Sequence, residues 1–131
     1  MSKQIALDTN AYRAIADNNQ KVLDVLHGAS SVGLPIIVLG ELYYGFENGN
    51  QKATNLNLLH RFLEIKSLQV LNINNETAQI FGGISSELNK AGKPIQQNDI
   101  WIAALCKQYG YSLLSADKGF QHVAGLEVVS F

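Results

Sequence analysis

The spacing of apolar positions along this chain changes period several times, and each change marks an element boundary. Ile5-Ala6-Leu7 is a short unbroken apolar run, which predicts a buried strand over residues 4–7. Residues 10–16 and 20–30 are predicted helices, split by the turn-forming Asp17-Asn18-Asn19. In the second of these, Val22, Val25, Leu26 and Ala29 fall on one face. Leu34-Pro35-Ile36-Ile37-Val38 predicts a second strand over 34–38, and a helix follows over about 39–46, ended by Glu47-Asn48-Gly49-Asn50. Residues 52–64 place Leu56, Leu59 and Leu63 on a helical stripe, and 69–73 predict a third strand. Asn75 reads as the N-cap of a helix carrying Ala78, Phe81, Ile84, Ser85 and Leu88, which should end near Ala91-Gly92 before Pro94. Asn98 or Asp99 opens a further helix to about residue 108, apolar nearly all round from 100 to 106 and so expected to be buried. Residues 112–114 and 126–129 predict the fourth and fifth strands.

Strands separated by helices imply an α/β fold: a parallel sheet of four to five short strands, right-handed crossovers and helices on both faces. The strands are short and apolar, as strands covered on both faces are. With 131 residues and no repeat or linker, one domain over 1–131 is expected. A net charge of -1 with no like-charge block argues against a protein that coats duplex nucleic acid by electrostatics. Nucleic acid would have to be met by local Lys and Arg contacts or with a partner's help. The one cysteine, Cys106, lies inside an apolar run and reads as a core residue compatible with a reducing compartment. No apolar stretch is long enough for a secretion leader or a bilayer span, so a soluble cytoplasmic protein without membrane contact is expected.

Four of the eleven acidic residues stand at unusual places. Asp8 directly follows the first strand. Glu41 follows the apolar run 36–40, at the start of a helix beyond the second strand. Asp99 opens the most apolar helix, and Asp117 comes three residues after Leu114, at the end of the fourth strand. In an open parallel sheet the C-terminal strand ends share one edge, where ligand sites form, so the four can converge there. Converging carboxylates repel one another, and a divalent cation neutralises them. All-oxygen donors favour Mg²⁺ or Mn²⁺ over zinc, and His27, His60 and His122 have no paired ligand spacing. Such an ion suits phosphodiester hydrolysis. Each acid also has a plainer reading: Asp8 and Asp99 as helix caps, Glu41 as a first-turn acid facing the helix dipole, Asp117 as a turn residue.

Asp8-Thr9-Asn10, Gly40-Glu41-Leu42-Tyr43-Tyr44-Gly45, Asn98-Asp99-Ile100-Trp101-Ile102-Ala103-Ala104 and Leu113-Leu114-Ser115-Ala116-Asp117-Lys118-Gly119-Phe120 follow in that order. This ordered set resembles the PIN-domain nucleases, and specifically the VapC-type toxins of toxin–antitoxin pairs, from Ile5 to Val129. The resemblance implies a PIN-like three-layer α/β/α fold and an Mg²⁺- or Mn²⁺-dependent endoribonuclease. It carries the metal and catalytic roles onto Asp8, Glu41, Asp99 and Asp117, with Asp8 and Asp99 as principal ligands and Glu41 and Asp117 binding through water or holding a second ion. It implies that Asn10 supports Asp8 by hydrogen bonding and that Ser115 supplies a hydroxyl beside the last acid. It further implies a homodimer and inhibition by a VapB-like antitoxin laid across the active site.

Arg13, Lys90, Lys93 and Lys118 are candidate phosphate contacts. Tyr43, Tyr44 and Phe46 are candidate base-stacking residues, but their spacing beside Leu39 and Leu42 favours core or dimer packing. Trp101, in the apolar helix, is expected in the core. A phosphoacceptor receiver domain needs an acidic pair after the first strand, where Thr9 follows Asp8. An aspartyl-phosphate phosphatase generally has a second acid two positions on, where Asn10 stands. A catalytically silent PIN-like binding module is opposed by the intact acid set.

Overall fold

The computed structural model describes residues 3–131. In β1 (Lys3–Leu7), Ile5, Ala6 and Leu7 are all buried, because this strand is the middle one of a five-stranded sheet ordered β3-β2-β1-β4-β5. The other elements follow in chain order: α1 (Thr9–Ala16), α2 (Gln20–His27), β2 (Ala29–Pro35), α3 (Ile36–Glu47), α4 (Lys52–Leu63), β3 (Leu68–Leu71), α5 (Asn75–Lys90), α6 (Gln97–Tyr109), β4 (Ser112–Leu114) and β5 (Val128–Val129). Every neighbouring pair of strands is parallel. The chain steps outward from β1 to β3, then returns through α5 and α6 to β4 on the other side of β1. Right-handed crossovers in opposite directions put the two sets of helices on opposite faces. The reversal at β1 and β4 leaves a crevice at their C-terminal ends. The expected α/β architecture is the one observed.

The largest departure from expectation lies between β2 and α3. The strand expected over 34–38 is β2 at Ala29–Pro35, and α3 begins at Ile36. Polar residues form the start of β2 because their hydroxyls find partners. Ser30 Oγ donates to the Lys3 carbonyl at 3.1 Å, and Ser31 Oγ shares a 2.7 Å hydrogen bond with Tyr111 Oη. Gly33 is required by close packing: a Cβ there would stand 2.9 Å from Cε2 of the buried Tyr111 ring. Pro35, with φ fixed at -58°, ends the strand and opens α3. Ile36-Ile37-Val38 is therefore the first turn of a helix. Glu41 falls on the second turn, which removes its plainer reading as a first-turn acid.

Two caps also differ. Asn74, not Asn75, caps α5 through a reciprocal box: its side chain accepts from Thr77 N at 3.2 Å, and its own N–H donates to Thr77 Oγ1 at 3.0 Å. Gln96 precedes α6, so Asp99 is the third residue of that helix and not its cap. The expected burial of α6 holds at Ile100 and from Ile102 to Cys106. Trp101 is only half-buried and stacks on Phe81 of α5, with ring centroids 4.1 Å apart and 26° between planes. Burial pushes the Cys106 thiol up to about 12, so it stays protonated and serves packing, as expected. Among the described residues no helix is long and apolar enough to cross a membrane.

Candidate active site

The register of the two central strands creates the first half of the site. Leu7 of β1 pairs with Leu114 of β4, so the next residues, Asp8 and Ser115, emerge side by side. Both are buried. The Ser115 hydroxyl donates to Asp8 Oδ2 at 2.5 Å, and Asp8 Oδ1 accepts the Ala11 N–H at 2.8 Å as the N-cap of α1. Asp8 is thus a cap, as its plainer reading held, and also a member of the site. Each of its oxygens keeps a second lone pair. Ser115 Oγ in turn accepts the Asp117 N–H at 2.9 Å, which ties the fourth acid's backbone to the first.

The other three acids arrive from separate elements. Glu41 is half-buried on α3, and its Oε1 accepts the Thr9 hydroxyl at 2.7 Å. Asp99 is half-buried in the first turn of α6, without a hydrogen-bond partner among the described residues. Asp117 is exposed and opens a short 3-10 turn, Lys118–His122, with its Oδ1 accepting the Gly119 N–H at 2.8 Å. All four line one cleft of about 880 Å³ at the C-terminal edge of the sheet.

These carboxylates feel one another. Burial raises the proton affinity of Asp8; the hydrogen bonds from Ser115 and the Ala11 N–H oppose this, and the charges of Asp117 and Glu41 add to it. Asp99 is pushed up to about 6, first by burial and then by Asp117, Glu41 and Asp8. Among the described residues the ion pairs are Lys3–Glu127 and Lys52–Glu47, both at the surface, so neither neutralises the cluster. The four acids share a cleft and a field, not a finished coordination sphere: among the described residues no three His, Cys, Asp or Glu side chains form a ready ligand set. Their chemistry fits a hard divalent cation, since the donors are all oxygen and no His or Cys lines the cleft.

Other expectations separate here. Asn10 lines the cleft but, among the described residues, makes no hydrogen bond to Asp8; Ser115 and the Ala11 N–H fill that place. Of the four candidate phosphate contacts, Arg13 lines the cleft, whereas Lys90, Lys93 and Lys118 do not. Phe46 packs against the core, as expected. Tyr44 departs from the core expectation: it is 72% exposed and lines the cleft, while Tyr43 lies off it. Sequence reasoning missed Thr9 as a partner of Glu41. That contact needs α1 and α3 to be neighbours, which no local pattern states.

The PIN domain family model matches residues 5–126. The chain is 33% identical over 125 residues to Ribonuclease VapC2 of Haemophilus influenzae, covering 92% of each. Among solved structures it is similar to the DNA-bound VapBC of Salmonella typhimurium, with a TM-score of 0.85, 26% identity and coverage of 99% of this chain and 98% of that one. The fold also matches VapBC2 of Rickettsia felis bound to a promoter DNA fragment, with a TM-score of 0.86, 24% identity and coverage of 97% and 98%. Similarity at this level runs through every element that brings an acid to the cleft, and the chain belongs to the PIN-domain family and, within it, to the VapC ribonucleases.

Proposed function

We propose that the chain is an Mg²⁺- or Mn²⁺-dependent endoribonuclease and the toxin of a type II toxin–antitoxin pair. The observation that carries this reading is four carboxylates in one cleft with no ion pair among the described residues to balance them. In this reading Asp8 and Asp99 would be the principal ligands, and Glu41 and Asp117 would bind through water or hold a second ion. A bound divalent cation lowers the pKa of its water, polarises the phosphoryl oxygen and offsets charge on the leaving oxygen.

The chain's own residues do the positioning. Ser115 and the Ala11 N–H fix both oxygens of Asp8, so its remaining lone pairs have a set direction. Thr9 holds Glu41 from the facing helix. Ile102, three residues on from Asp99 in α6 and buried, gives the cleft an apolar lining residue there.

The partner follows from the same charge. An acidic cleft accepts an Arg or Lys side chain in place of the ion, which is how a VapB-like antitoxin would silence it. The Salmonella relative forms a VapBC assembly, which supports a cognate antitoxin for this chain. Homodimerisation, implied by the family resemblance, belongs to the same reading.

The test is cleavage of total cellular RNA by the purified chain with Mg²⁺, with Mn²⁺ and with chelator, beside Asp8→Asn. Cleavage that needs the metal and is lost in the variant is expected. Cleavage unchanged by Asp8→Asn overturns the assignment.

A further inference from the structure

One end of the cleft carries different chemistry from the carboxylate end. Along α3 and its C-cap, Glu41, Tyr44, Gly45 and the cap residue Asn48 all line it, at offsets of three, four and seven residues, so they form one face. Tyr44 therefore stands about 4.5 Å along the axis from Glu41. The facing wall, from α1, adds Arg13. Gly45 leaves the notch this guanidinium occupies: a Cβ at Gly45 would lie 3.2 Å from Arg13 Nη2. Arg13 forms no ion pair among the described residues. It is also the one Lys or Arg among the cleft's lining residues.

We propose that the Arg13–Tyr44 end of the cleft is a subsite for one unpaired nucleotide of the RNA, its base stacked on the Tyr44 ring and its phosphate held by the Arg13 guanidinium. The inference rests on the ribonuclease reading and names the form of substrate it takes. Away from the metal the acids repel phosphate, so Arg13, the one basic side chain of the lining, marks where a phosphate next to the scissile one can settle. The Tyr44 ring is 72% exposed, yet it is carried on a twelve-residue helix whose Val38, Leu39 and Leu42 are in the core. A rigidly mounted, open aromatic face is what a base stacks on, with little preference among bases. A base inside a duplex is paired and stacked on its neighbours and cannot reach it.

The test is binding, read by fluorescence anisotropy of short labelled oligouridylate and oligoadenylate, with all proteins carrying Asp99→Asn so that RNA is not consumed. Tyr44→Ala should weaken both oligomers by between about fivefold and about a hundredfold, without changing the salt dependence. Tyr44→Phe, which keeps the ring, should restore affinity. Arg13→Met should reduce the slope of log affinity against log salt by about 0.7, the loss of one phosphate contact on a single strand. Tyr43→Ala, one residue away and off the cleft, is the control and should bind like its parent. A fully paired RNA duplex should bind with no dependence on Tyr44. Parental affinity and salt slope in both Tyr44→Ala and Arg13→Met overturn the subsite, as does a parent that binds neither oligomer. If the unsubstituted chain still cleaves RNA in Mn²⁺ in that case, the nuclease reading stands without the subsite. Binding through Tyr44 by a chain that never cleaves separates the two the other way.

Discussion

Asp8 and Asp99 face the same cleft under opposite conditions. Asp8 is 6% exposed, and both its oxygens accept hydrogen bonds, one from a backbone N–H and one from Ser115. Asp99 is half-buried, has no such donors among the described residues, and is pushed up to about 6. Burial raises both; local donors decide how far the charged form is recovered. Strand register supplies the Ser115 donor to Asp8, because Ser115 follows β4 as Asp8 follows β1, and the first turn of α1 supplies the Ala11 N–H. Nothing equivalent reaches the start of α6. Asp8 is therefore the oriented carboxylate, and Asp99 the one whose charge most needs an external cation.

Removing either carboxylate is the harshest way to break this contrast. Asp8→Asn and Asp99→Asn should each reduce kcat/KM for RNA cleavage by more than about a hundredfold, the upper range for loss of an outer partner. Their effects on the metal-free protein should differ in sign. Thermal melting above neutral pH should show Asp99→Asn more stable than the parent, since an uncompensated charge is gone. Asp8→Asn should be less stable, because an amide that keeps its oxygen toward the Ala11 N–H presents an NH2 to the Ser115 donor. Equal effects of both would erase the distinction between them.

Ser115→Ala is the gentler cut. It leaves Asp8 in place and removes its side-chain donor, and should lower metal affinity by about ten- to a hundredfold. Ser115→Thr, which keeps a hydroxyl, should recover most of that loss in a metal titration. Thr9→Val should cost less, at most about tenfold in cleavage, because Glu41 is half-exposed and water can replace the lost hydroxyl.

How much of this was open to sequence reasoning follows from where each group sits. Asp8 and Asp117 follow short apolar runs that read as central strands, so the sheet edge and two of its acids were legible; Ser115 came only from the family resemblance, which set it beside Asp117 and not on Asp8. The fourth strand matched its expected limits, Ser112–Leu114. The boundary between β2 and α3 was not legible, because Ile36-Ile37-Val38 suits a buried strand and a buried helix equally well. Its displacement moved Glu41 by nearly a full turn and hid the phase of α3. Tyr44 was weighed as a base-stacking residue, with core or dimer packing favoured; it lies outside the core and lines the cleft. Asn10 was expected to hold Asp8 on resemblance alone; strand pairing gives that task to Ser115.

The smallest effect sharpens the comparison through pH. The Asp99 carboxyl rises from 3.8 to about 6 on folding, so the folded chain holds this proton more tightly than the unfolded chain. The stability it contributes is complete below 3.8 and is lost as pH rises through about 6. The melting temperatures of parent and Asp99→Asn should therefore converge near about pH 4 and separate by a few degrees above about pH 6, the variant being higher. Asp8, also raised, adds to the parent's decline with the same sign. Saturating Mn²⁺ should reverse the order, because only the parent keeps its full ligand set.

Whether these acids hold one ion between them is tested most directly by titrating Mn²⁺ into the metal-free chain while free Mn²⁺ is followed by electron paramagnetic resonance. Saturable uptake, weakened by at least about tenfold in both Asp8→Asn and Asp99→Asn, is the expected result. No uptake, or uptake that neither substitution alters, would contradict a shared metal site.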